Sequence, residues 1–239
     1  MKFAIPSVLV LFAACADAPP EIAAQARELH GNPNPGIAPP DSHPYGKSYG
    51  EWAADYWRWA LPQPAGVNPL LDETGADCGQ GQDGSVWFLA GNFNGTMHRE
   101  CTVPPGRALF FPIANVFWIQ TLQDPNLSIA EIRAGARELL DEGLEMSATI
   151  DGRPVVEPER YFEDSSVVTM RLPDDNVLGY DETICPRDLD GVIACDPFLD
   201  AGYYLFVQPL PRGDHTLRFT CTIPAFDFVL DITYTLHIE

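Results

Sequence analysis

The segment FDFVLDITYTLHI, residues 226–238, alternates bulky apolar side chains with mostly polar ones over thirteen residues. Successive side chains of a β-strand point to opposite faces, whereas the apolar positions of a helix recur every three or four residues. The segment therefore predicts a long, half-buried antiparallel strand. A chain that ends in such a strand has to build a sheet with one face against a core.

Six further segments resemble buried or half-buried strands bounded by Gly, Pro or Asp. They are SVWFLAG (85–91), RALFFPI (107–113), EMSATIDGRPV (145–155), DSSVVTMRLP (164–173), GYYLFVQPLP (202–211) and DHTLRFTCTI (214–223). Asp151 and Gly152 indicate a hairpin turn within the third of these. About nine strands and two helices predict a mainly β fold, an antiparallel β-sandwich with two inserted α-helices.

The first helix is predicted near 48–61, where Ser48 and Glu51 match a capping box. Its sequence EWAADYWRWA has a broad apolar arc and a charged back, which favours packing in a core over a platform for stacking on a ligand. Trp57 lies at the edge of the arc and is the aromatic side chain expected to be most exposed. A second capping box at Ser128 and Glu131 predicts an amphipathic helix near 129–142.

The N-terminal residues 1–18 have the short apolar run of a signal peptide. Within it, LFAAC resembles a bacterial lipobox with Cys15 as the lipidated residue, and cleavage after Ala18 with plain secretion is the alternative. Residues 19–44 contain seven prolines and predict an extended tether. Residues 45–239 are then expected to form a single domain.

The formal charge of −20 excludes a role in binding nucleic acid, because phosphates are repelled by such a surface. Contact with a membrane is expected only through the N-terminal lipid anchor. The expected location is extracytoplasmic, as a cell-envelope lipoprotein or a secreted protein.

The cysteine spacing predicts two disulfides. Cys185 and Cys195 bracket a turn-rich loop, and Cys78 and Cys101 flank a possible hairpin. Cys221 shares a strand face with apolar residues and is expected to be a buried small hydrophobe rather than a nucleophile.

Calcium is the one cofactor that the acidic loops suggest. A bridge between Cys185 and Cys195 would hold the carboxylates of Asp188, Asp190 and Asp196 near one another, although the spacing does not fit an EF-hand. A solvated loop without metal is the alternative. A second acidic loop offers its carboxylates on similar terms; they belong to Asp72, Asp77 and Asp83.

No catalytic residue can be assigned from the sequence. It has no zinc-ligand motif, nucleophile elbow or phosphate-binding loop. The segment MHREC combines a base, a cation and an acid, but on a strand His98 and Glu100 would face away from Arg99.

Three longer segments resemble a family of uncharacterised exported bacterial proteins. They are NPLLDETGADCGQGQDGSVWFLAG, RECTVPPGRALFFPI and the closing LPRGDHTLRF with FDFVLDITYTLHI. The resemblance covers roughly residues 45–239 and implies no activity or site. The ending is also similar, more loosely, to Ig-like sandwich modules, which implies only the fold.

Three functions are compatible with the sequence. The first is a non-catalytic binding module that presents Trp57 or Tyr203 to a glycan or an envelope protein. The second is an extracellular hydrolase whose acidic catalytic residues come from distant loops, with calcium as a possible cofactor. The third is a purely structural surface protein.

Overall fold

The computed structural model describes residues 32–123, 127–141 and 143–239. The second of two compact units, Asn34–Glu239, contains all the described helices and strands. The predicted signal peptide, the lipidation residue Cys15 and the tether up to residue 31 lie outside the described residues. No helix within the described residues combines the length and the apolar character that a membrane span requires.

Two α-helices and ten strands are described in this unit. In chain order they are α1 (Tyr49–Ala60), β1 (Val86–Phe88), β2 (Gly95–Val103), β3 (Ala108–Ile119), α2 (Ile129–Asp141), β4 (Glu145–Ile150), β5 (Arg153–Pro154), β6 (Phe162–Asp164), β7 (Val168–Leu172), β8 (Ile193–Val207), β9 (Gly213–Ile223) and β10 (Phe228–Ile238).

The strands form two sheets that pack together. Sheet 1 has the order β1-β3-β8-β6, with β7 also paired to β8, and sheet 2 has the order β2-β10-β9-β4-β5. The fold is mainly β, a two-sheet sandwich with two inserted helices, as the sequence predicts. Most neighbours are antiparallel, but β1 pairs with β3 and β2 pairs with β10 in parallel. Alternation along one strand reports which face is buried and does not identify the neighbouring strand, so these parallel pairs were not foreseen.

The terminal strand β10 has the predicted period. It pairs antiparallel with β9 along its whole length, from Phe228 opposite Ile223 to Ile238 opposite Gly213. Its even-numbered side chains from Leu230 to Ile238 are buried. The strand begins two residues later than predicted, because the backbone turns at Asp227 with a φ of 51°.

A bulge in β3 decides which of its side chains face which layer. The register with β8 shifts between Pro112 and Ala114, so the alternation changes by one residue there. Before the bulge, Phe110 faces α1 and Phe111 faces sheet 2, where its ring lies 5.1 Å from that of Phe219. Beyond the bulge, the odd-numbered residues face α1 instead.

Helix α1 lies on the outer face of sheet 1. Ser48 and Glu51 form the predicted capping box, which satisfies free N–H groups at the start of the helix. Gly50 lets the helix approach the sheet, since a Cβ there would lie 2.4 Å from the carbonyl oxygen of Asp164. The aromatic side chains of α1 pack on those of β1, β3 and β8, which confirms that this helix is part of the core.

Helix α2 covers the far ends of β3 and β8 on the opposite face. Ile132, Ala136 and Leu140 are its buried residues, as a single amphipathic stripe predicts. On the other side of the helix, Arg137 forms an ion pair of 2.6 Å with Asp164.

The compact unit begins earlier than the predicted domain boundary at residue 45. Ile37 and Ala38 are each 5% exposed. Ile37 forms a bridge with Val207, and the amide of Ala38 donates to the carbonyl of Phe206. The proline-rich segment from residue 34 onward therefore lies against sheet 1.

Candidate ligand-binding site

A cavity of about 250 Å³ lies between α2 and the far ends of β3 and β8, and we call it the helix cavity. Its lining residues are Val116, Phe117, Trp118, Leu127, Glu131, Ile132, Gly135, Ala136, Leu139, Leu199, Asp200 and Ala201. Most of these side chains are apolar. Concave, mainly apolar spaces of this kind are the usual form of small-ligand sites.

Two polar residues of the lining, Trp118 and Glu131, affect which ligands the helix cavity can bind. The indole nitrogen Nε1 of Trp118 is buried and has no hydrogen-bond partner among the described residues. At the other end, Glu131 caps the start of α2, and its hydrogen bonds with Ser128 hold the pKa of its carboxyl below the usual value. The lining of the cavity thus includes a residue with an unsatisfied donor and an exposed acidic residue.

Gly135 keeps the helix cavity open. Glu131, Gly135 and Leu139 follow one another at four-residue spacing and form one row along α2. A Cβ placed on Gly135 would meet no atom within 4 Å. A glycine in the middle of a helix lowers stability by about 0.5–1 kcal/mol relative to alanine. Gly135 therefore makes α2 less stable than alanine would, but it leaves space in the cavity wall.

A second cavity of about 170 Å³, the edge cavity, lies beside β3 and is lined by residues of both α1 and β10. It is lined by Tyr56, Trp57, Leu70, Gly91, Asn92, Phe93, Ala114, Asn115, Val116, Phe117, Phe228 and Leu230. The side-chain oxygen Oδ1 of Asn92 is buried here without a hydrogen-bond partner among the described residues, and the indole of Trp57 lies near the carboxyl of Asp200. The edge cavity is therefore more polar in character than the helix cavity.

Asp200 belongs to the lining of the helix cavity, and its buried carboxyl contacts Asn115 of the edge cavity. Asp200 is 2% exposed and faces α1, in a row of β8 that otherwise carries Phe198, Tyr204 and Phe206. It accepts hydrogen bonds from the hydroxyl of Tyr204 and from Nδ2 of Asn115, the latter at 2.9 Å.

The environment of Asp200 changes its protonation. Burial raises the pKa of Asp200 to about 7, against the lowering effect of Tyr204, Asn115 and the nearby indole of Trp57. The same burial, together with the Asp200 charge, raises the pKa of Tyr204 well above its usual value. A carboxyl that titrates near neutral pH inside a core is typical of functional sites, although buried hydrogen-bond networks also produce it.

Arg99 is the largest fully buried side chain among the residues that the structure describes. It is 2% exposed, whereas His98 and Glu100 are exposed on the opposite face, as the strand pattern predicts. Its guanidinium donates to the carbonyls of Asp72, Ala90 and Gly91 and to other acceptors that include the hydroxyl of Tyr234. Backbone carbonyls and a tyrosine hydroxyl thus replace the water molecules that would surround this cation at the surface.

Neither aromatic residue predicted to bind ligand stands free on the surface. The expectation that Trp57 is exposed is wrong. It is 4% exposed, and its ring lies 4.7 Å from that of Phe117 and 5.9 Å from that of Phe198. Tyr203 is half-buried beside Phe162, at 5.3 Å between ring centres. Their roles in binding stay predictions, and for Trp57 the relevant surface is the wall of the edge cavity.

The three carboxylates predicted for calcium do not converge. Asp188 and Asp190 both form ion pairs of 2.9 Å with Arg171, and Asp196 accepts a hydrogen bond from Thr169 instead. In the part of the chain that the structure describes, no group of three or more His, Cys, Asp or Glu side chains is placed to hold a metal ion. The calcium site has no geometric support there and stays a prediction.

The other acidic loop is organised by Asp72. Its carboxylate accepts hydrogen bonds from the amides of Thr74, Gly75 and Asp77. Burial alone would raise the pKa of Asp72, but these bonds outweigh it and lower the pKa. The carboxylate of Asp72 is therefore used in hydrogen bonds within its own loop. The carboxylate of Asp83 accepts a hydrogen bond from the amide of Gly84.

Both predicted disulfides are formed, Cys78 with Cys101 and Cys185 with Cys195. Cys221 is a free thiol that is 1% exposed, and burial raises its pKa to about 12. It is thus a buried small hydrophobe, as expected. Disulfides persist in oxidising compartments, so the two bridges indicate an extracytoplasmic setting.

No family model, curated protein or solved structure matches this chain. The resemblance to exported bacterial proteins and to Ig-like modules stays a prediction. The site has to be interpreted from its own geometry.

Proposed function

We propose that this protein is a non-catalytic, extracytoplasmic binding module that takes an apolar group of its ligand into the helix cavity. The observation that carries the proposal is a mainly apolar cavity of about 250 Å³ whose lining includes Trp118, a residue with a buried indole N–H that has no hydrogen-bond partner among the described residues. A buried donor without a partner costs about 1–3 kcal/mol, and a ligand that supplies an acceptor recovers it.

The size and charge of the cavity define the ligand. An apolar cavity of ~150 Å³ takes up benzene, so the helix cavity corresponds to about ten non-hydrogen atoms. The exposed Glu131 is part of the lining, and the whole chain carries a charge of −20. These charges favour neutral or cationic ligands over anionic ones.

Under this proposal, a protein ligand is favoured over a glycan ligand. Burial of Trp57 removes the exposed ring that favoured a glycan platform. An apolar side chain of a partner protein would fit the helix cavity as well as a small molecule would. Under this proposal, a lipidated Cys15 would hold the module at the cell envelope.

Quinoline and naphthalene are a matched pair of probes for the helix cavity. Both have the proposed size, but only quinoline carries an acceptor for Trp118. We expect quinoline to bind with a Kd on the order of 0.1 mM. Naphthalene should bind about threefold to tenfold more weakly, because it forms no hydrogen bond. Calorimetry and tryptophan fluorescence measure both affinities.

Three variants locate the binding. Gly135→Leu fills the cavity and should abolish quinoline binding, whereas Ala134→Leu, on the exposed side of α2, should leave it unchanged. Trp118→Phe should remove the preference for quinoline over naphthalene. Equal binding of quinoline to Gly135→Leu and to the native protein would rule out the helix cavity as the site.

A hydrolase is the second candidate function, and Asp200 is the observation that favours it. A buried carboxyl with a pKa of about 7 is suited to general acid–base catalysis. Purified native protein and the Asp200→Asn variant can be screened on polysaccharide, ester and peptide substrates, with and without a chelator. Turnover that is lost in the variant would support this candidate, and rates equal to the blank would exclude it for those substrates.

A further inference from the structure

One edge of β3 is open along the half of the strand that lies between the two cavities. The strand runs from Ala108 to Ile119, but its pairing with β1 ends at Phe110. Among the described residues no strand pairs with β3 on that side beyond this point. Residues 115–119 are paired with β8 on their other side.

Buried polar side chains explain why the edge is open. After Phe88 the chain leaves β3, because the carbonyls of Ala90 and Gly91 accept hydrogen bonds from Arg99 at 2.7 and 3.0 Å. The amide of Gly91 donates to the hydroxyl of Tyr56 at 3.1 Å. These backbone groups are satisfied inside the core and are not available to extend the ladder with β3.

The two cavities flank the open edge, and the side chains of Asn115 and Trp118 point to opposite faces of β3 because the two residues differ in parity along the strand. Val116 and Phe117 line both of them. Trp118 belongs to the helix cavity, and Asn115 belongs to the edge cavity. An unpaired strand edge flanked by a pocket on each face is the arrangement by which domains bind extended peptides as an added strand.

We propose that the open edge of β3 at residues 115–119 binds an extended peptide of a partner protein as an added strand, with successive side chains entering the helix cavity and the edge cavity in turn. This inference rests on the proposed function and names its ligand. Backbone hydrogen bonds to the edge would supply affinity, and the two cavities would select side chains on opposite faces of the peptide.

The cavities specify which peptide fits. The helix cavity, at about 250 Å³, has room for an aromatic side chain such as that of Phe or Trp. The edge cavity, at about 170 Å³, suits a smaller side chain with a donor for Oδ1 of Asn92, such as a carboxamide or a hydroxyl. The charge of −20 favours basic residues on both sides of this pair.

An array of acetylated hexapeptides tests the inference on the complete purified protein. Each peptide has lysine at both ends, with the central positions varied among Trp, Phe, Leu, Gln, Thr and Glu. We expect enrichment of peptides in which an aromatic residue is followed or preceded by Gln or Thr. Glutamate at the ends in place of lysine should weaken binding, and added salt should reduce the difference.

Backbone methylation of the best peptide provides the decisive measurement. An added strand turns every second amide toward β3, so N-methylation should lower affinity about tenfold at alternate positions and little at the positions between them. Hydrogen exchange of residues 115–119 should slow when the peptide binds. The Gly135→Leu variant should shift the preferred residue from aromatic to small, with Ala134→Leu as the matched control.

The outcomes separate this inference from the proposed function. If quinoline binds in the helix cavity but no peptide does, or if methylation has no alternation, the peptide inference is overturned and the binding module stands. If neither quinoline nor peptide binds, both fail. A dimer in sedimentation that protects residues 115–119 without peptide would also overturn the inference, since a second copy would then occupy the edge.

Discussion

Asn115 donates a hydrogen bond of 2.9 Å to Asp200, and this contact joins the wall of the edge cavity to a buried carboxyl. Gly202 permits the close approach of the two strands here, because a Cβ on it would lie 2.4 Å from the Cβ of Asn115. The ionisation of Asp200 is therefore linked to the packing around the proposed site.

Asp200 should make the protein less stable as the pH rises from about 4 to about 7. The unfolded state loses the proton near pH 3.9, whereas the folded state keeps it up to about pH 7 because burial disfavours the charge. In this window only the folded state holds the proton, so the free energy of unfolding falls with pH and levels off above 7.

The Asp200→Asn variant isolates this effect. The free energy of unfolding of the variant minus that of the native protein, measured by urea titration at several pH values, should increase from pH 4 to pH 7. Two histidines also have raised pKa values. Asp151 raises the pKa of His215 against the effect of burial, and Asp214 raises the pKa of His237. The native protein and the Asp200→Asn variant share these groups, so their effects cancel in the difference. A difference that does not change with pH would show that Asp200 is ionised in the folded state throughout.

Gly135→Ala should stabilise the protein by about 0.5–1 kcal/mol, since alanine favours the helix and its Cβ enters open space. In a chain of this size that corresponds to a rise in Tm of about 1–4 °C. Differential scanning calorimetry measures it. A lower Tm would mean that position 135 is already in close contact with neighbours.

Arg99→Lys should destabilise the fold by about 3 kcal/mol or more. A single ammonium cannot reach the carbonyls of Asp72, Ala90 and Gly91 together, so buried acceptors lose their partners. Arg153→Lys, at an exposed position, is the control and should change stability by less than about 0.5 kcal/mol. Equal urea midpoints for the two variants would contradict the role given to Arg99.

Removing either disulfide should cost about 3 kcal/mol, from the entropy that each closed loop removes from the unfolded chain. The bridges span sequence separations of 23 for Cys78–Cys101 and 10 for Cys185–Cys195, so the first double Cys→Ala variant should lose slightly more. Urea unfolding of the two variants compares them. The thiol of Cys221 should react with Ellman's reagent only after unfolding, and rapid reaction of the native protein would contradict its burial.

Local patterns were sufficient to predict the framework of the fold. Period two identified β10, capping boxes identified both helices, and cysteine spacing identified both bridges. Each of these signals is contained in a short stretch of chain.

The site depends on contacts between distant segments and was largely missed. The apolar arc of α1 left Trp57 at its edge, but Phe117 and Phe198, far away in sequence, cover it. The helix cavity exists only because α2 docks on β3 and β8. Asp200 did leave a signal, since it is a single acid inside the apolar run FLDAGYYLF, and a buried carboxyl could have been suspected there.

The central claim is that the helix cavity is a binding site, and a crystal structure of the quinoline complex tests it most directly. We expect the quinoline ring between Trp118 and Gly135, with its nitrogen about 3 Å from Nε1 of Trp118. Density for quinoline at another place, or an empty helix cavity at a saturating concentration, would contradict the account.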